Sequence, residues 1–216
     1  MSKGKILFQL TGSIACYKAC SLISRLVQEG FEVQTAVTPG ALQFIGESTL
    51  EGLTSRPVLK DTYERGRTMD HIHVPQWADL ALLCPATAST INRLAAGVGD
   101  DFISTVFLAY PLQKKPYLIA PAMNQQMYSH PATQSSLRRL KDWGVHVLPT
   151  GIGYQACGDV GEGRLLEPDQ ILEVILKFFE FEKHGETQKE RWDEGQSDVQ
   201  SHVQDHARCD AGEMRA

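Results

Sequence analysis

Short apolar runs that stop at a proline, a glycine or a small hydroxyl residue, and alternate with helical spacing, constrain this chain more than any other feature. Residues 5–11 are mostly apolar and end in Thr11-Gly12-Ser13. From Ile14 the spacing turns helical, with Ala19, Leu22, Ile23, Leu26 and Val27 on one face and Gly30 where a helix-terminating glycine belongs. Residues 31–38 alternate as a strand does and stop at Pro39-Gly40. A strand–helix–strand opening of this kind calls for a right-handed crossover and a parallel pair.

The rhythm continues. Residues 81–84, 117–120 and 145–148 are short apolar runs, as strands buried on both faces should be. Helical stretches over 88–96, 101–109 and 134–143 lie between or beside them. The expected fold is α/β: a flavodoxin-like or Rossmann-like, three-layer, doubly wound parallel sheet of about five strands. Residues 151–167 are glycine-rich, carry neither a helical nor a strand period, and hold Cys157. Pro168 then opens an amphipathic helix with Ile171, Leu172, Ile175, Phe178 and Phe179 inward. Residues 1–183 are expected to form one domain, and 184–216, polar and poor in large apolar residues, a disordered tail.

Composition narrows the function. At 42% hydrophobic and 22% charged, with a formal net charge of −5, the chain is an ordinary soluble type and no general nucleic-acid binder, although a local basic pocket for a phosphate remains open. No apolar run is long enough to cross a bilayer, and the first residues read as a strand, not a signal peptide. Five cysteines without CxxC spacing suggest reduced thiols in a cytoplasm, with no disulfide framework and no metal site.

Ligands of open parallel sheets bind beyond the carboxyl ends of the strands, and four such ends stand out. Gly12, Ser13 and Ile14 make either a plain strand-to-helix turn or an anion site at a helix start, where Ser13 can cap the helix. Thr38 ends the neighbouring strand, as turn chemistry or as a second hydroxyl for the same anion. In Pro85-Ala86-Thr87-Ala88-Ser89-Thr90, an N-cap explains one hydroxyl but not three. In Pro121-Ala122-Met123-Asn124, the methionine reads as core filler, while the Asn124 amide can meet a carboxylate from its N–H side. His71 precedes the third strand as a loop histidine, either solvated or an acid, base or cation near neutral pH. Cys157 sits on a loop too glycine-rich for core, of the kind that forms lids.

Together these segments resemble the homo-oligomeric flavin-containing cysteine decarboxylases over roughly residues 3–180. Pro85 to Thr90 is similar to the family's PASANT-type motif with Ser89 for Asn. Pro121 to Tyr128 is similar to PxMNxxMW with Tyr128 for Trp. Ala156 to Arg164 resembles the ACGDxGxGRM flap of the phosphopantothenoylcysteine branch, with Leu165 for Met. The resemblance implies FMN as cofactor, with its phosphate at Gly12, Ser13, Ile14 and Thr38 and its ring against Thr87, Ala88, Ser89, Thr90 and Ala122. It implies His71 near the ring, Asn124 on the substrate carboxylate and Cys157 as proton donor. It also implies trimers or multiples of trimers with the flavin between subunits; whether a separate phosphopantothenate–cysteine ligase supplies the preceding step is left open by the sequence.

The implied reaction is redox-neutral overall: the flavin oxidises the substrate's thiol end toward a thioaldehyde, CO2 leaves, and the hydride returns. A thiol with an ordinary pKa of about 8.5 suits the final proton transfer. Four other readings compete, one of them a prenyl-flavin-forming relative, opposed by the Asn124 motif. A peptide C-terminal cysteine decarboxylase is opposed by the Cys157 flap, and a phosphatase-regulating binding subunit by the joint presence of His71, Asn124 and Cys157. A nicotinamide dehydrogenase is opposed by the missing GxGxxG.

Overall fold

The computed structural model describes residues 2–182; the expected tail at 184–216, with Cys209, lies outside them. Five parallel strands form the central sheet: β1 (Lys5–Leu10), β2 (Glu32–Val37), β3 (Leu80–Ala86), β4 (Tyr117–Pro121) and β5 (His146–Val147). Their order is β2-β1-β3-β4-β5, the flavodoxin-type winding, which reverses direction between β1 and β3.

Both faces of the sheet are covered, so the strand residues alternate between two cores and each strand reads as one apolar run. Ile6, Phe8 and Leu10 face one core, under α1 (Cys16–Gln28), α2 (Glu47–Thr54) and α8 (Pro168–Glu182). Leu7, Ala81 and Leu83 face the other. That side is covered by α3 (Asp70–Trp77), α4 (Ala88–Ala95), α5 (Phe102–Ala109) and α7 (Pro131–Asp142). A short α6 (Gln125–Ser129) follows β4. The inward residues expected for the last helix are found: Ile171, Leu172, Ile175 and Phe178 are buried, and Phe179 packs on their edge.

Two expectations are corrected. His71 is not on a loop but in the first turn of α3, which carries Pro75 and ends under Lys115. The Lys115 Nζ donates to the carbonyls of Pro75, Gln76 and Ala78 and so caps the carboxyl end of the helix. Residues 151–167 are not irregular: β6 (Gly151–Tyr154) and β7 (Val160–Arg164) pair as an antiparallel hairpin. Its strands hide their period because one face rests on a loop and its glycines contribute no side chains to count.

Candidate active site

At the switch point, the turns after β1 and β3 are bolted together by Thr11. Its hydroxyl donates to the Pro85 carbonyl at 2.6 Å and accepts the Thr87 N–H at 3.0 Å, and the whole residue is buried. Thr87 is in turn the N-cap of α4, accepting from the Thr90 N–H. The turn after β1 meets the turn after β2 backbone to backbone: a Cβ on Gly12 would stand 3.0 Å from the Gly40 carbonyl. Thr38 accepts from the Ala41 N–H at 3.3 Å and so shapes that second turn.

The helix start expected at Ser13 is displaced. Ala15 holds the N-cap position of α1, and the Ser13 hydroxyl accepts the Ala15 N–H at 3.2 Å instead. Cys16 bonds back to the Ser13 carbonyl, while the N–H groups of Gly12, Ser13 and Ile14 donate to no described carbonyl. Three idle N–H donors at a helix start, approached closely because Gly12 and Gly40 lack side chains, suit a phosphate.

Beside this cradle lies a cleft of about 360 Å³ between the sheet rim and the hairpin. Its wall includes Ser13, Ile14, Ala122, Asn124 and Cys157. Asn124 is the N-cap of α6: its Oδ1 accepts the Met127 N–H at 2.9 Å, which leaves the Nδ2 donors for an incoming acceptor. Cys157 is exposed in the hairpin turn, and its thiol donates to the Asp159 carboxylate at 3.4 Å.

The hairpin is seated on the Asn124 loop by contacts that leave no room for side chains. The Met123 N–H donates to the Gly163 carbonyl at 2.9 Å, and a Cβ on Gly163 (φ +110°) would lie 2.4 Å from the Met123 oxygen. Buried Gln155 completes the joint, accepting from the Gln125 N–H at 3.2 Å and donating to the Glu162 carbonyl at 2.7 Å. The glycines read in sequence as a mark of mobility, and neither the bolting role of Thr11 nor the seat made by Gln155 is visible there.

Thus one chain brings Ser13, Ile14, Ala122, Asn124 and Cys157 to one cleft, with Gly12, Thr38 and Thr87 in the adjoining turns. Ala88 and Thr90 are buried in the first turn of α4, and Ser89 is exposed there. His71 does not line the cleft; it is half-buried on α3, with a buried Nδ1 that finds no partner among the described residues. Burial raises the pKa of the remaining described thiols, Cys16, Cys20 (to about 11) and Cys84, which makes them poor nucleophiles. Among the described residues no group of three metal-ligating side chains occurs, and no helix is long and apolar enough to cross a membrane.

Fold and rim define a doubly wound α/β domain whose switch point offers idle N–H donors suited to a phosphate beside an open cleft. The sequence pattern of the flavoprotein family matches residues 1–180. A coenzyme A biosynthesis bifunctional protein CoaBC from Vibrio parahaemolyticus is 42% identical over 178 residues, 82% of this chain and 44% of that protein. A solved PPC decarboxylase variant complexed with pantothenoylaminoethenethiol superposes with a TM-score of 0.74 at 28% identity, over 82% of this chain and 98% of that one. The FMN binding protein AtHal3 superposes at 0.72 with 29% identity, over 82% and 97%. The chain belongs to the flavoprotein family, in the branch that holds PPC decarboxylase. It spans less than half the length of the bifunctional relatives it matches.

Proposed function

We propose that this chain, with FMN, decarboxylates the cysteine end of 4′-phosphopantothenoylcysteine to give 4′-phosphopantetheine, a step of coenzyme A biosynthesis in the cytoplasm. The observation that carries this reading is the cleft that joins Asn124 and Cys157 beside the idle N–H groups of Gly12, Ser13 and Ile14. Those N–H groups and Thr38 would hold the FMN phosphate, while Thr87, Ala88, Ser89, Thr90 and Ala122 would border the ring. Bound FMN supplies a reversible two-electron sink, without which a saturated cysteine carboxylate has nowhere to leave its electrons.

Each side chain then has a defined task. Asn124 Nδ2 donates to the substrate carboxylate, because its oxygen is already held by Met127. Cys157 protonates carbon after CO2 has left, its S–H kept in place by Asp159. His71 takes the substrate thiol proton or orients the carboxylate. A homotrimer, or a multiple of it, with the cleft between copies is the arrangement that would bring His71 to the ring.

The test is CO2 release by FMN-loaded protein from phosphopantothenoylcysteine, run against a peptide ending in cysteine. Release from the small substrate alone is expected; no release, or a preference for the peptide, contradicts the proposal. Replacing Cys157 by serine should leave FMN content intact and, without oxygen, limit CO2 release to about one per flavin with an oxidised, decarboxylated product in place of phosphopantetheine; full turnover by that variant would remove Cys157 from the reaction.

A further inference from the structure

The cleft wall carries two cations that the decarboxylation itself does not use, Lys18 in the first turns of α1 and Arg164 at the end of β7. The Lys18 side chain is only 14% exposed, an unusual burial for a lysine. Its Nζ meets Glu167 Oε1 at 2.7 Å, and Arg164 meets the same oxygen at 3.3 Å. Both cations therefore stand within reach of a single anion. Lys18 uses one of its three donors on Glu167, and the Arg164 guanidinium, with five N–H groups, makes no other described hydrogen bond.

Arg164 is also held in place. It lies across Gly153, where a Cβ would come within 2.5 Å of its Nη1, so the β6 glycine (φ +150°) makes room for the guanidinium. Two cations face one carboxylate that is itself half exposed, so the three side chains together carry an excess positive charge. Glu167 answers one of the two cations, and a bound anion would answer the excess charge. A planar guanidinium beside an ammonium is a combination suited to a phosphate.

We propose that Lys18 and Arg164 form a phosphomonoester subsite of the cleft, which holds the phosphate end of the substrate while Asn124 holds its carboxylate end. This assignment rests on the decarboxylase reading for the identity of the substrate, not for the chemistry of the subsite. It makes the cleft selective for phosphorylated over unphosphorylated pantothenoyl compounds. The idle N–H groups after β1 are left to the phosphate of the cofactor.

The experiment is calorimetric titration of the FMN-loaded protein with 4′-phosphopantetheine and with pantetheine, in the wild type and in Lys18→Gln, Arg164→Gln and Lys18→Arg variants. The wild type should bind the phosphorylated compound about 30-fold more tightly. Either glutamine variant should lose most of that preference with pantetheine affinity and FMN content unchanged, and Lys18→Arg should keep it. Equal binding of the two compounds by the wild type overturns the subsite, as does a parallel loss of both in the variants. Loss of FMN from the glutamine variants overturns it as well, because the cations would then serve the cofactor's phosphate. Phosphate-selective binding without CO2 release would sink the decarboxylase reading and leave the subsite standing; turnover of both forms alike would do the reverse.

Discussion

The two walls of the cleft are built on different principles. The sheet-rim wall grows out of strands whose residues are almost all buried, and its turns are fixed by one buried hydroxyl, Thr11, and one glycine contact, Gly12 on Gly40. The hairpin wall has little core beneath it: Ile152, Tyr154 and Val160 are exposed, and its seat is backbone lying on backbone at Gly163. Rim residues are thus positioned by the stability of the whole domain. Cys157 and Arg164 depend on one local joint. Damage to the joint should cost activity and spare the fold, and damage to the rim should cost both.

Gly163→Ala is the sharpest way to break that contrast, because the added methyl collides with the Met123 carbonyl and the backbone has a positive φ. Decarboxylation should fall by about 100-fold from misplacement of Cys157, with FMN content intact and a melting temperature lowered by only about 3 °C. A collapse of the melting temperature would mean that the hairpin belongs to the core.

Thr11→Val tests the other wall. It leaves the Thr87 N–H, and with it the join of the β1 and β3 turns, without its partner. Stability should fall by about 2 kcal/mol in urea unfolding, and FMN affinity should fall with it. Unchanged FMN affinity would show that the turns hold their positions without the bolt.

The smallest effect separates domain stability from site chemistry. Burial holds the His146 pKa down to about 4, against an ordinary value of about 6.5 in the unfolded chain. As pH falls below 6.5 the unfolded chain takes up a proton that the folded one refuses, so stability drops until pH reaches the folded value. Between pH 6.5 and 5.5 this histidine should cost about 1 kcal/mol, and His146→Gln should flatten the slope in denaturant unfolding. An unaltered slope in that variant would assign the acid sensitivity elsewhere.

The same contrast explains what the sequence disclosed. β1, α1, β2, α4, α5 and α8 were legible because each buries an apolar run or stripe of its own. Asn124 and Cys157 were legible as unusual side chains at a strand end and on a glycine-rich segment. The hairpin was not, because its strands pair with each other while one face rests on Met123 and Asn124, a contact that demands absent side chains and so leaves no periodic trace. The helix holding His71 was obscured by Pro75 inside it, and its carboxyl end is capped by Lys115, 40 residues beyond Pro75. The roles of Thr11 and Gln155 were illegible for a related reason: their partners at Pro85 and Gln125 lie 74 and 30 residues distant. A joint between remote segments has no local signature.

The cleft as the substrate's seat is tested most directly by the rate at which iodoacetamide alkylates Cys157 in the FMN-loaded protein, followed by mass spectrometry. Cys16, Cys20 and Cys84, whose thiols are harder to ionise, serve as internal controls. With 4′-phosphopantetheine at ten times its dissociation constant, Cys157 should react about tenfold more slowly, in step with the fraction of empty sites. A rate that ignores the ligand while calorimetry shows it bound would place the substrate somewhere other than between the sheet rim and the hairpin.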